Sequence, residues 1–258
     1  MITSTQNPKL KLARSLMGRP RERHEAKAFV VEGVRLVEEA LAAEWPLEFV
    51  LYAPGLSARG QELIKKLEAK NIEVEQVADT LLNSISETEN PQGVLAVLWH
   101  FLLPLPPTPD FILIADQIRD PGNLGTLLRT AAAAGVQAVL LPPETTDAFA
   151  PKVVRAGMGA HFRLPILSLT WDEIRATTES LKVFLADTQG STCWEMDFRL
   201  PMALIVGGEA EGATAEARKL AKMAVSIPMP GKAESLNAGV AGAILLFEVV
   251  RQRQLSQS

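Results

Sequence analysis

The sequence is poor in cysteine and has no long apolar segment. Cys193 is the only cysteine among the 258 residues, which excludes an internal disulfide and indicates a reducing compartment. No run of about 18 apolar residues is free of charge, so we predict no membrane span. The N-terminal residues contain no apolar segment of the signal-peptide type, and we therefore predict a cytoplasmic protein.

Common motifs for nucleotides, metals and serine nucleophiles are also missing. The sequence contains neither G-x-G-x-x-G nor G-x-x-x-x-G-K-[ST], which excludes the usual phosphate-cradling loops. The three histidines, His24, His100 and His161, are isolated and there is no cysteine cluster, so we predict no metal site. No G-x-S-x-G motif offers a serine nucleophile.

Excess positive charge is confined to the N-terminal segment. The net charge of the chain is −4, which by itself argues against a nucleic-acid partner. Residues 1–35 nevertheless contain eight Lys or Arg against three acidic residues, so this segment carries +5 and the rest −9. A basic segment on an acidic body can supply phosphate contacts to a nucleic acid. From charge alone, a solvated N-terminal helix explains the pattern equally well.

The first hundred residues alternate between strand and helix patterns. Helical spacing of apolar residues covers 9–17, 34–43 and 59–70, and strand patterns cover 28–33, 47–54, 72–78 and 93–100. This alternation predicts a small α/β domain over residues 1–100. Four prolines in six residues then fall within 101–110, where they can continue neither a helix nor a central strand. We predict this segment to be an interdomain linker.

Residues 111–258 have the pattern of a parallel, doubly wound α/β domain. The apolar run 111–116 is typical of a strand buried on both faces. Further strands are predicted at 136–142, 182–188, 202–208 and 224–228, and helices at 123–135, 216–223 and 235–253. Loops rich in Gly, Pro and polar residues follow three of the strands, at 116–130, 206–213 and 227–237. Ligands of parallel sheets bind at such strand ends, so we predict a site there.

Three ordered stretches resemble the motifs of a known family. They are NLGTLLRTAAAAG (123–135), LIVGGEAEG (204–212) and IPMPGKAESLNAGVAGAILLFEVVR (227–251). The set is similar to the SpoU/TrmH family of RNA ribose 2′-O-methyltransferases, within the SPOUT superfamily. The basic N-terminal half resembles the family's RNA-recognition extension, a small α/β domain like those of certain ribosomal proteins.

The resemblance implies a fold and a cofactor that periodicity cannot reveal. Members tie the C-terminal segment into a deep trefoil knot that holds S-adenosylmethionine, and they form homodimers. Backbone groups of the second and third motifs bind the cofactor in the family, which suits glycine because it lets the backbone approach closely. The positions implied here are Gly207, Gly212, Ile227, Pro228, Met229 and Leu236.

The same resemblance implies the catalytic and RNA-binding residues. The implied catalytic set is Asn123, Arg129, Glu209, Ser235 and Asn237, and the implied RNA-binding set is Lys9, Lys11, Arg14, Arg21, Arg23 and Arg35. The family assigns Arg129 the role of base. Because arginine has a pKa above about 12, we favour an electrostatic clamp that stabilises the developing alkoxide. Ala210 and Gly157 depart from the family pattern, which commonly has glycine and serine there.

The expected function is methyl transfer to a ribose of structured RNA, with ribosomal RNA favoured over transfer RNA. A catalytically idle RNA-binding protein on the same fold is the main alternative, and a small-molecule enzyme of the ordinary nucleotide-binding type is a second. The five catalytic positions together disfavour the first. The missing glycine fingerprint and the basic N-terminus disfavour the second.

Overall fold

The structure is a computed structural model, and it describes residues 1–208, 212–231 and 234–255. In chain order the helices are α1 (Pro8–Gly18), α2 (Pro20–Ala26), α3 (Val34–Ala42), α4 (Ala58–Ala69), α5 (Asp79–Asn83), α6 (Pro121–Ala133), α7 (Pro151–Gly157), α8 (Trp171–Thr177), α9 (Ala215–Leu220) and α10 (Ala238–Leu255). The strands are β1 (Ala28–Glu32), β2 (Leu47–Tyr52), β3 (Val74–Gln76), β4 (Val94–Trp99), β5 (Phe111–Asp116), β6 (Ala138–Leu141), β7 (Ile166–Ser168), β8 (Lys182–Thr192), β9 (Met202–Gly207) and β10 (Met223–Ser226).

The chain divides into two compact units. The first comprises Met1–Phe101 with Phe149–Phe162, and the second comprises Leu102–Ala148 with Arg163–Ser258. The segment Phe149–Phe162 thus belongs to the first unit, although it lies within the range 111–258 predicted for the second domain. Packing explains this membership, since the Phe149 ring lies 4.9 Å from that of Phe29 in β1.

The first unit contains a four-stranded sheet in the order β1-β4-β2-β3. β4 is antiparallel to both of its neighbours, whereas β2 and β3 are parallel. α1 packs its apolar face, including Leu10 and Leu16, into the core beneath this sheet. Asn7 accepts the backbone N–H of Lys9 at 2.9 Å, so the helix begins at Pro8 with a side-chain cap.

The second unit is built on a six-stranded parallel sheet in the order β10-β8-β9-β5-β6-β7. β5 and β9 lie at its centre, and every residue of β5 is buried, as the apolar run predicts. The strand β8 extends to Thr192, four residues beyond the predicted end at 188. The α/β class and the parallel second sheet predicted from the sequence are confirmed.

After the edge strand β10, the chain returns to the centre of the same unit. α10 packs against α6 and also contacts β9 and β8. The two helices pack closely at Gly242, where a Cβ would lie 2.3 Å from the Leu127 Cδ2 atom and would force that side chain to move. Among the described residues, no helix has the length and apolar character needed to cross a bilayer.

Candidate active site

Three polar segments meet the sheet of the second unit at its carboxyl edge. They follow β5, β9 and β10, and the first two strands are neighbours in which Asp116 pairs with Gly207. Because the carboxyl ends of parallel strands lie at one edge, the loops after β5 and β9 are brought side by side. The expected site at these strand ends therefore has a structural basis.

Two of the implied catalytic residues are joined directly. Asn237 Nδ2 donates a hydrogen bond of 2.8 Å to Asn123 Oδ1, across 114 positions of sequence. Asn237 Oδ1 also accepts the backbone N–H of Val240 at 3.2 Å, which caps the first turn of α10. Asn237 therefore caps the start of α10 and also binds the first turn of α6.

The first turn of α6 is fixed by its own cap. Asp120 Oδ1 accepts the backbone N–H of Asn123 at 2.8 Å, and Pro121 occupies the first helical position. Asn123 is therefore held in place by two hydrogen bonds. Its backbone N–H binds Asp120, and its side-chain oxygen binds Asn237.

Arg129 lies further along the same helix, about 9 Å along the axis from Asn123 at 1.5 Å per residue. Its side chain is exposed. Within the described ranges, no hydrogen bond or ion pair joins its guanidinium to another residue. Ser235 is also exposed, and Leu236 exposes 36% of its surface. Glu209 and Ala210 lie outside the described residues.

The segment after β10 leaves its backbone groups available. No hydrogen bond joins the backbone of residues 228–231 or 234–236 to other described residues. Ile227 and Met229 are half-buried, and Pro228 is exposed. Free amides and carbonyls beside apolar side chains suit a ligand that is held by backbone contacts, with an apolar ring and polar edges.

The described ends of the loop between β9 and α9, residues 208 and 212–213, lie in backbone contact with the strand ends. A Cβ on Gly207 would lie 2.6 Å from the backbone nitrogen of Ala213, and one on Gly208 would lie 2.6 Å from the carbonyl oxygen of Gln117. Gly212 adopts a φ of +69° and is exposed. Larger residues at 207 and 208 would push this loop away from the sheet.

Asp116 is a further polar group at this edge that the motifs do not identify. It is completely buried, and its Oδ2 accepts the backbone N–H of Thr214 at 2.7 Å. Burial raises the pKa of the Asp116 carboxyl above its ordinary value, and the hydrogen bonds from Thr214 oppose that shift. The only sequence signal was an acidic residue that ends an apolar strand.

Comparisons with known proteins identify the family of this chain. Residues 110–247 match the model of the SpoU rRNA Methylase family, and residues 7–96 match an MRM3-like substrate binding domain. The chain belongs to the SpoU rRNA methylase family. The resemblance inferred from the three motifs is thereby confirmed.

Relatives that match over nearly their whole length support the membership of this chain in the SpoU family. It is 34% identical to the 23S rRNA (guanosine(2553)-2′-O)-methyltransferase RlmP of Bacillus subtilis, over 96% of this chain and 98% of that protein. The crystal structure of the SpoU methyltransferase AviRb from Streptomyces viridochromogenes, in complex with AdoMet, matches with a TM-score of 0.87 at 31% identity. That match covers 96% of this chain and 99% of the other.

The basic residues in the N-terminal segment of the SpoU chain differ in their exposure and in the contacts they already make. Lys11, Arg14, Arg21 and Arg35 are exposed. Arg14 donates to Ser84 Oγ at 3.0 Å, and Arg21 pairs with Glu25 at 2.6 Å on an exposed helix face. Such exposed contacts are weak enough to exchange for a phosphate.

Lys9 and Arg23 are engaged within the first unit of this SpoU chain. Lys9 forms ion pairs with Glu73 and Glu75, which raise the pKa of its ammonium group against the effect of burial. Arg23 is only 3% exposed, and its Nη1 donates to the carbonyl oxygen of Leu16 at 2.5 Å. Its guanidinium closes the C-terminal turn of α1, so we leave Arg23 out of the proposed RNA surface.

Proposed function

We propose that this SpoU methylase transfers a methyl group from S-adenosylmethionine to a ribose 2′-hydroxyl of ribosomal RNA. The observation that carries the proposal is the bonded pair Asn123–Asn237, which joins the first and third motifs on the helix that bears the exposed Arg129. Relatives of matching length are named as 23S rRNA 2′-O-methyltransferases, which favours ribosomal over transfer RNA.

The reaction makes two demands on the protein. When bound, S-adenosylmethionine supplies a methyl group on a positively charged sulfur, so the C–S bond breaks, a C–O bond forms and neutral S-adenosylhomocysteine leaves. The 2′-hydroxyl must lose its proton to solvent or a base as the C–O bond forms, because it is a very weak acid. The chain must therefore orient the hydroxyl and stabilise the negative charge that develops on its oxygen.

Arg129 meets the second demand as an electrostatic clamp. Its exposed guanidinium has no partner to displace among the described residues, and its fork of N–H donors can bind a phosphate and the developing alkoxide. The Asn123–Asn237 pair and the exposed hydroxyl of Ser235 orient the ribose. Glu209 is proposed to support this group from the second motif.

The residues present fit S-adenosylmethionine. We assign the adenosine moiety to the free backbone groups around Ile227, Pro228, Met229 and Leu236 and to the loop between Gly207 and Gly212. The passage of the chain from the edge strand β10 back to α10 beside α6 is where we place the trefoil knot.

The RNA-binding surface is assigned to the first unit. A cavity of about 560 Å³ lies beside the N-terminus of α3 and is lined by Arg35, Arg59, Asn83 and Gln92 among others. Gln92 Oε1 accepts a hydrogen bond of 2.9 Å from the backbone N–H of Val34, the first residue of α3. We propose that Arg35 and Arg59 at this cavity, together with the exposed Lys11, Arg14 and Arg21 of the same unit, bind phosphate oxygens and splayed bases.

A second copy of the chain is proposed to cover α10. Val240 and Phe247 are 47% and 49% exposed, and they lie one heptad apart on one helix face, with Ile244 half-buried between them. Most residues of α10 are apolar, and an exposed apolar stripe on such a helix is typical of a surface that a partner covers. We further place the homodimer in the cytoplasm, where the buried thiol of Cys193 stays reduced.

The test is transfer of a labelled methyl group from S-adenosylmethionine to 23S ribosomal RNA lacking ribose methylation, with the position mapped by resistance to alkaline cleavage. Arg129→Lys keeps the charge but loses the fork, so we expect kcat to fall roughly 100-fold with an unchanged pH profile. Arg175→Lys, the same change on the exposed face of α8, is the matched control.

Two results would contradict the proposal. Failure of the wild-type protein to bind S-adenosylmethionine by calorimetry, while it still binds RNA, would leave the idle RNA-binding alternative. Near-normal activity of Arg129→Lys with a shifted pH profile would instead assign Arg129 the role of base.

A further inference from the structure

We propose that Asp116 is a positioning residue that fixes the two described ends of the loop between β9 and α9, residues 207–208 and 212–213, for cofactor binding. It acts through the backbone N–H of Thr214, not by touching the cofactor. The inference rests on the proposed function, since it assigns the loop to S-adenosylmethionine.

The environment of Asp116 gives the first argument. The carboxylate ends the fully buried strand β5 and has no exposed surface. Its Oδ1 is buried without a hydrogen-bond partner among the described residues, whereas Oδ2 accepts from Thr214. A carboxylate in such a place is costly, because burial disfavours its charged form and none of the described residues pairs it with a cation. A purely structural role would be served at lower cost by an apolar side chain.

The position of Thr214 gives the second argument. It is the N-cap of α9, where its Oγ1 accepts the backbone N–H of Ala217 at 3.2 Å. It also follows the loop directly, so the hydrogen bond from Thr214 to Asp116 joins the end of the loop to the end of β5, 98 residues away. The start of the loop is fixed by the pairing of Gly207 with Asp116 in the sheet.

Asp116 therefore fixes both ends of the loop. Its backbone holds the residue at which β9 ends, and its side chain holds the residue at which α9 begins. Among the described residues of the loop, Ala213 lies close to Gly207, and Gly208 lies close to the carbonyl oxygen of Gln117 at the end of β5. Releasing Thr214 would let Ala213 and Gly212 shift away from Gly207, and Gly212 is one of the residues proposed to bind the cofactor.

The test removes the hydrogen bond from each side and measures the Kd for S-adenosylmethionine by calorimetry. Asp116→Ala removes the acceptor. Thr214→Pro removes the donor, and the φ of −64° at Thr214 already suits proline. Because this change also removes the Oγ1 cap of α9, Thr214→Ala, which loses the cap and keeps the N–H, is its control. We expect each variant to weaken cofactor binding roughly tenfold, the value of a hydrogen bond to a charged group. The double variant should bind no more weakly than Thr214→Pro alone, because both changes remove the same bond between Thr214 and Asp116.

Rescue and a stability control separate positioning from general damage. Asp116→Asn keeps a carbonyl oxygen for Thr214 and should restore the Kd to within about threefold of wild type. Thr170→Ala removes the capping box of α8 in the same unit, so it should lower the melting temperature and leave the Kd unchanged.

Three outcomes would overturn the inference. These are wild-type affinity in Thr214→Pro, an asparagine variant no better than alanine, or a Kd that follows the melting temperature across all variants, Thr170→Ala included. If Asp116→Ala does not fold, the Kd of Thr214→Pro tests the inference. Absence of binding by the wild-type chain would instead refute the proposed function on which the inference rests.

Discussion

Arg23 shows what one guanidinium does when it is buried. Its Nη1 donates to the carbonyl oxygens of Leu16 and Met17, at 2.5 and 3.3 Å, which are otherwise unsatisfied groups at the end of α1. Only 3% of the residue is exposed, so water cannot replace these bonds.

We expect Arg23→Ala to lower the free energy of unfolding by about 2 kcal/mol, measured by urea denaturation. Arg21→Ala is the control, because its side chain is 86% exposed and its ion pair with Glu25 contributes about 0.5 kcal/mol or less. Equal losses in the two variants would contradict the capping role of Arg23.

At the same scale, the sequence identifies polar residues better than it identifies their partners. Asn123 and Asn237 are recognisable because they stand in motifs at predicted helix starts, but nothing in the sequence shows that they bind each other. Asp116 is missed because one acidic residue after an apolar run has no periodicity or motif. Arg23 is misassigned because a count of charges does not distinguish an exposed side chain from a buried one.

At the scale of elements, the edge strand β10 depends on a glycine in its neighbour. The register between β10 and β8 jumps from the pair Ala224–Leu185 to Val225–Ser191, so residues 186–190 have no partner in β10. Gly190 lies in this bulge, where a Cβ would stand 2.4 Å from the backbone nitrogen of Val225. A side chain there must displace the strand that leads into the proposed cofactor segment.

We expect Gly190→Ala to destabilise the protein by about 1–3 kcal/mol and to weaken binding of S-adenosylmethionine. Thermal unfolding and calorimetry would measure the two effects. Gly18→Ala serves as the control, since a Cβ at Gly18 meets nothing within 4 Å. A Gly190 variant as stable as wild type would show that β10 can shift without cost.

In this chain, the sequence predicts whether a segment is a helix or a strand where the periodic pattern of apolar residues is long. The sequence predicts the longer helices and the core strands of both units, with boundary errors of a few residues. It does not predict α2, α5, α7 and α8, which have five to seven residues. Helices of fewer than two full turns offer few apolar positions to establish a period, and α9, which has six residues and is predicted over 216–223, is the exception.

At the scale of the whole molecule, the exposed stripe on α10 makes the proposed homodimer testable. Phe247→Asp places a charge on this face, and burying it in an interface would cost more than the contact provides. We therefore expect the variant to be monomeric by light scattering after gel filtration, with lower methyl transfer.

Leu200→Asp is the matched control for this prediction, because Leu200 is 57% exposed but lies outside α10. It should leave the oligomeric state unchanged. A Phe247→Asp protein that remains dimeric would place the interface on another surface.

The path of the chain has a consequence for its synthesis. Phe149–Phe162 lies in sequence between β6 and β7 but packs within the first unit, where Arg155 approaches Glu32 to 3.9 Å. Neither unit is therefore a continuous length of polypeptide. On a translating ribosome, the N-terminal half must wait for residue 162 to emerge before its core is complete, by which time β5, α6 and β6 have already been made.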